Sequence, residues 1–184
     1  DLDADGVPDS VGDGSNVTVW EDKSGNNRDA NLASATAPQV QLNELNGLPV
    51  VEFRSGTNDG TTNDEEMNVG GSAFLAKEMY FVFRSPSPTW SDYGGILGHN
   101  TGGNRGSNFI FERGNTNFHS NQLPTSVSKD GVDIASAGNF NLGTINQYMV
   151  LRVEVNGSAI GPHTTYRVGD ITGWSMDMDL AEVI

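Results

Sequence analysis

Helical periodicity is nearly absent from this chain, and that constrains the fold more than anything else in it. Short apolar runs are broken every few residues by Gly, Asn, Ser and Thr, the pattern of a β-sandwich or barrel. The expected strands are Asn16 to Glu21, Val40 to Leu45, Pro49 to Arg54, Glu78 to Arg84, Gly95 to Gly98 and Asn108 to Arg113. Further along they are Ser126 to Ser128 with Val132 to Ile134, then Tyr148 to Val155, Thr164 to Val168 and Met178 to Ile184. The second half of Tyr148 to Val155 alternates apolar and polar residues, so one face of that strand is expected to be buried. Met79 to Phe83 is apolar throughout and reads as a central strand covered on both faces.

Asn46-Gly47 and Asp130-Gly131 are strong two-residue hairpin signals. Ser55 to Gly71 and Ser85 to Tyr93 show no strand pattern and read as long loops. With no internal repeat, heptad or low-complexity tail, residues 1–184 read as one domain, in which 1–15 form an acidic N-terminal segment.

Charge narrows the partners. The chain holds 24 acids against 10 bases, a net charge of -14. This balance argues against nucleic-acid backbones and anionic membranes, both of which require basic surface. It suits divalent cations, neutral sugars or basic partners. There is no cysteine, so disulfides and thiolate chemistry are excluded. No stretch reaches the 18 or so apolar residues that cross a membrane as a helix. The abrupt start on Asp1 reads as a fragment of a longer, exported chain.

The first ten residues hold aspartates at 1, 3, 5 and 9, with a glycine at 6. Alternate side chains of a tight loop point to one side, so Asp1, Asp3 and Asp5 can converge on a cation. The carbonyl of Val7 and the side chain of Asp9 add further oxygens. Hard oxygen ligands in this number suit Ca²⁺ better than Mg²⁺. The bidentate Glu that an EF-hand carries at position 12 is missing, since Gly12 stands there. The alternative is a solvated acidic end.

Three stretches in order carry a family resemblance. The first is Trp20, Asp22, Ser24, Gly25 and Ala30, in the pattern W-x-D-x-S-G-x-x-x-x-A. The second is Asn46, Gly47, Pro49, Val51 and Phe53, in N-G-x-P-x-V-x-F. The third runs from Leu180 to Ile184, with Met178-Asp179 where the pattern G-D-I-A-E-V-I has Gly-Asp. Together they resemble laminin-G-like members of the concanavalin A-like lectin/glucanase superfamily. The resemblance implies an all-β jelly-roll sandwich of two antiparallel sheets. It also implies a structural Ca²⁺ near the D-x-S-G turn, which nominates Asp22 with oxygens from Gly25 or Asn27. The alternative for that turn is that Asp22, Ser24 and Asn26 bond to the backbone. Trp20 and Phe53 read as core.

Glucanases of that superfamily carry E-x-D-x-x-E on a strand, and this chain has Asp177, Asp179 and Glu182 at the same spacing. Residues 177 and 179 share a face of a strand, whereas 182 lies on the other unless a bulge intervenes. The first position is Asp and the motif lies at the C-terminal end, so no catalytic residue is assigned. The histidines, His99, His119 and His163, have no metal-ligand spacing.

Sugar recognition calls for an aromatic platform and polar groups for hydroxyls. Such residues cluster in the expected loops: Trp90, Asp92 and Tyr93, then His99 and Asn100, then Arg113 and His119, with Trp174 later. The resulting expectation is a non-catalytic, Ca²⁺-stabilised carbohydrate-binding module of a secreted or cell-surface bacterial protein. Its partners would be a polysaccharide or other glycan, and the other domains of a longer parent chain. A structural or adhesive domain with protein partners, and a glycan-cleaving enzyme, are the alternatives.

Overall fold

The computed structural model describes residues 12–54, 65–72, 77–89, 94–99, 110–111, 115–118, 124–134, 140–155, 166–169 and 176–184. Among these there is no helix. The strands are β1 (Val19–Trp20), β2 (Ala30–Leu32), β3 (Gln39–Leu45), β4 (Leu48–Phe53), β5 (Met67–Val69), β6 (Glu78–Arg84) and β7 (Gly94–Gly95). They continue with β8 (Leu97–His99), β9 (Ile110–Phe111), β10 (Pro124–Lys129), β11 (Val132–Asp133), β12 (Met149–Val155), β13 (Tyr166–Val168) and β14 (Met178–Val183).

These form an all-β sandwich of two antiparallel sheets, not closed into a barrel. The larger sheet has seven strands in the order β11-β10-β12-β6-β14-β4-β3, and the smaller has five in the order β1-β2-β5-β13-β8. β7 and β9 pair separately as a short ribbon.

Alternation explains the larger sheet. In β6, Met79, Phe81 and Phe83 are buried, while Glu78 and Tyr80 are exposed and Val82 is half-buried. In β12, Met149, Leu151 and Val153 are buried, while Val150 and Glu154 are exposed. β6 is the middle strand of seven, as its apolar run suggested, but it is covered on one face only. The expectation of two covered faces fails at Tyr80 and Val82. The Tyr80 hydroxyl donates to Glu78 Oε1 at 2.9 Å, so its ring lies along the surface with its polar tip satisfied.

The two hairpins expected from Asn-Gly and Asp-Gly form as read. Asn46 and Gly47 have φ of 53° and 82°, and Asp130 and Gly131 have 53° and 79°, the left-handed pair of a type I′ turn. They join β3 to β4 and β10 to β11. One expected loop is corrected: β5 lies inside the segment 55–71, where only a loop was read.

One contiguous core joins the sheets. Phe81, Phe83, Leu151, Met178 and Leu180 come from the larger sheet, and Met67, Tyr166 and Val168 from the smaller. Phe53 is buried and Trp20 packs partly buried against the same cluster, as read. At Gly169, just after β13, φ is 95°, and a Cβ would come within 2.5 Å of both the Glu65 carbonyl oxygen and Phe53 Cδ1. Only glycine allows that approach.

The outer edge of β3 is covered by the segment before β1. Gly14 N–H donates to the Val40 carbonyl at 2.8 Å, and Val40 N–H donates to the Ser15 carbonyl at 2.9 Å. Val17 N–H donates to the Pro38 carbonyl, and Leu42 N–H to Asp13 Oδ1. A bulge between Gln41 and Leu45 includes Asn43, at φ 61°.

Candidate functional site

Most residues nominated from the sequence lie outside the described residues. These are Asp1, Asp3, Asp5, Val7 and Asp9 of the acidic segment, and Trp90, Asp92, Tyr93, Asn100, Arg113, His119 and Trp174 of the loops. His99 ends β8, its backbone paired with Tyr166.

Asp22 is described, and its carboxylate organises the turn after β1. Oδ1 accepts the Ser24 N–H at 2.8 Å; Oδ2 accepts the Ser24 hydroxyl at 2.8 Å and the Arg28 N–H at 3.0 Å. The Asp22 N–H donates in turn to Asp29 Oδ1. The Ser24 hydroxyl, then the backbone donors, hold the Asp22 carboxyl below its ordinary value. This is the side-chain-to-backbone bonding that was one of the two alternatives for the turn. Among the described residues no three acids or histidines gather closely enough to hold a metal.

The larger sheet turns one face to the core and leaves the other open. Register fixes what the open face carries. Tyr80 on β6 lies opposite Arg152 on β12, and Val82 lies opposite Val150. Tyr80 and Val150 are 37% and 44% exposed, so this centre is an apolar and aromatic strip facing water. Charged groups bound it. At one end Arg152 bonds to Glu78 and to Glu154, and Glu78 is held below its usual range by Arg152 first and by the Tyr80 hydroxyl second.

At the other end lies an ion cluster built around one buried carboxylate. Asp179 on β14 is 1% exposed. Its Oδ1 accepts from Arg54 Nη2 at 2.8 Å, and its Oδ2 from Arg84 Nε at 2.6 Å. Arg84 also pairs with Glu44, and Arg54 with Glu52. The Arg84 guanidinium stacks 4.8 Å above the Tyr148 ring. Burial, with the charge of Asp179, pushes the Tyr148 phenol up to about 12, so it stays protonated. Its hydroxyl is buried and has no hydrogen-bond partner among the described residues. Beside Arg54, Glu65 accepts the Arg54 N–H, and burial pushes its carboxyl up to about 7.

β14 also resolves the geometry of the Asp177, Asp179 and Glu182 motif. Leu180 pairs with Phe83 but Glu182 pairs with Val82, so Ala181 is the extra residue of a bulge. The bulge returns Glu182 to the open face that Asp179 occupies. The two carboxylates differ in environment: Asp179 is clamped by two arginines, while Glu182 is exposed.

The open face was not nominated from the sequence. Its signal is present: the alternate residues 78, 80, 82 and 84, and 148, 150, 152 and 154, are the outward sets of two strands. Recognising them as one surface requires knowing that these two strands are neighbours. Compared with family models, with curated proteins and with solved structures, the chain matches none.

Proposed function

We propose that this chain is a carbohydrate-binding module of a laminin-G-like kind, and that its ligand lies across the open face of the larger sheet. The observation that carries this is the strip of exposed Tyr80 and Val150 with half-buried Val82, between two polar ends. A pyranose ring presents C–H groups on its faces and hydroxyls at its rim. An aromatic and aliphatic strip receives the first, and flanking arginines and acids receive the second. Binding to a glycan panel tests this. Tyr80→Ala should weaken binding about tenfold or more, the range of a central aromatic anchor. Equal binding by parent and variant would move the ligand elsewhere.

Calcium stabilisation is part of the proposal and rests on the spacing of the aspartates in 1–9. Melting in EDTA and in excess Ca²⁺ tests it, beside a variant carrying Asp3→Asn and Asp5→Asn. Ca²⁺ at ~100 times its dissociation constant should stabilise the parent by about 2.7 kcal/mol, and the variant much less.

A second reading, glycan cleavage, is favoured by the bulge that puts Glu182 on the face of Asp179. Release of reducing ends that stops in Glu182→Gln would support it.

A further inference from the structure

The open face also carries information about the charge of its ligand. This inference rests on the binding reading above. The arginines that reach the face are already neutralised. Arg54 pairs with Glu52 and Asp179, Arg84 with Glu44 and Asp179, and Arg152 with Glu78 and Glu154. Three guanidinium groups thus meet five carboxylates, and exposed Glu182 adds a sixth on the same face. The whole chain, these groups included, carries a net charge of -14.

A carboxylate or sulfate arriving here would have to displace a charged partner from an arginine, against a negative potential. A sugar hydroxyl meets no such barrier. It can donate to the remaining acceptor lone pairs of the paired carboxylates. The centre of the strip carries no charge at Tyr80, Val82 or Val150. The surface is a sheet face rather than a pit, which suits an extended chain more than a single sugar.

We propose that the ligand of this face is an uncharged polysaccharide, received by the Tyr80–Val82–Val150 strip and excluding carboxylated or sulfated polymers through the carboxylate excess around it.

Affinity electrophoresis of the full chain tests this in gels holding, separately, an uncharged glucan, an uncharged mannan, an uncharged galactan, a polyuronate, a sulfated galactan and polyglucosamine. The expected result is retardation by an uncharged polymer, insensitive to added salt and reduced about tenfold by Tyr80→Ala. Val150→Glu is the second variant, chosen because the side chain is 44% exposed; it should also lose retardation while the chain still unfolds cooperatively. Stronger retardation by the polyuronate or the sulfated galactan would overturn the inference and leave carbohydrate binding standing. Retardation by polyglucosamine alone, abolished by salt, would overturn it equally. Retardation by none of the six polymers would overturn the binding reading and the inference with it.

Discussion

The two sheets reach the same burial by different means. In the larger sheet every strand but β11 has six or seven residues. In the smaller none exceeds three. Yet Tyr166 and Met67 of the short strands are as inaccessible as Phe81 and Leu151 of the long ones. Their outer faces differ too. The larger sheet exposes Tyr80 and Val150, whereas the smaller sets Asn31, Asn68 and Arg167 side by side, with Arg167 paired to Glu66 in a largely buried bridge. Strand length and weight in the core are therefore separate properties.

The sharpest way to break this comparison is to empty the core from each side. Phe81→Ala and Tyr166→Ala should each cost about 4 kcal/mol, read by denaturant unfolding. A loss at Tyr166 below about 1 kcal/mol would mean that the smaller sheet covers the core without stabilising it. Next is the ion cluster at the edge of the open face. Asp179→Ala should cost on the order of 2–3 kcal/mol, because it leaves Arg54 and Arg84 facing each other; that they are about a third exposed limits the penalty.

The third test uses pH. The Glu65 carboxyl stands at about 7 against its ordinary 4.5, so the folded chain keeps a proton that the unfolded chain has already lost. Its effect on stability is most favourable below 4.5 and declines as pH rises to about 7. The decline attributable to Glu65 should be on the order of 2 kcal/mol, and Glu65→Gln should flatten it while still accepting the Arg54 N–H. An unchanged slope in the variant would place the titration at another group. The smallest effect is expected on the open face, where Tyr80→Ala should shift stability by about 0.5 kcal/mol or less. A large loss there would mean that the strip serves folding rather than binding.

The same contrast explains what was legible in the sequence. Glu78 to Arg84 matches β6 to the residue, and the sequence ranges for β3, β4, β12 and β14 end within one residue of theirs, because alternation over six or seven positions is a strong local signal. Ala30–Leu32 and Met67–Val69 were not read at all. These two are strands because each finds the other: Asn31 pairs with Asn68. Tyr80 and Val82 misled the reading of β6, since an apolar label does not distinguish a core side chain from one laid along a surface. The Asp22 turn was legible as one of two alternatives, because Asp, Ser and Asn at two-residue spacing bond locally. The open face was not legible, because it gathers residues some seventy to a hundred positions apart, such as Tyr80, Arg152 and Glu182.

The covered edge of β3 bears on how the molecule behaves in a crowd. A seven-residue strand at the rim of a sheet is a template on which a stray extended chain can add, and growth of that kind propagates into fibres. Here its amides at Val40 and Leu42 are already spoken for by Ser15 and Asp13 of the same chain. On the opposite side, two-residue β11 pairs only with Ser128 and Lys129 of β10. On the β3 side, neighbouring copies of the domain, however densely displayed, therefore find those amides already taken.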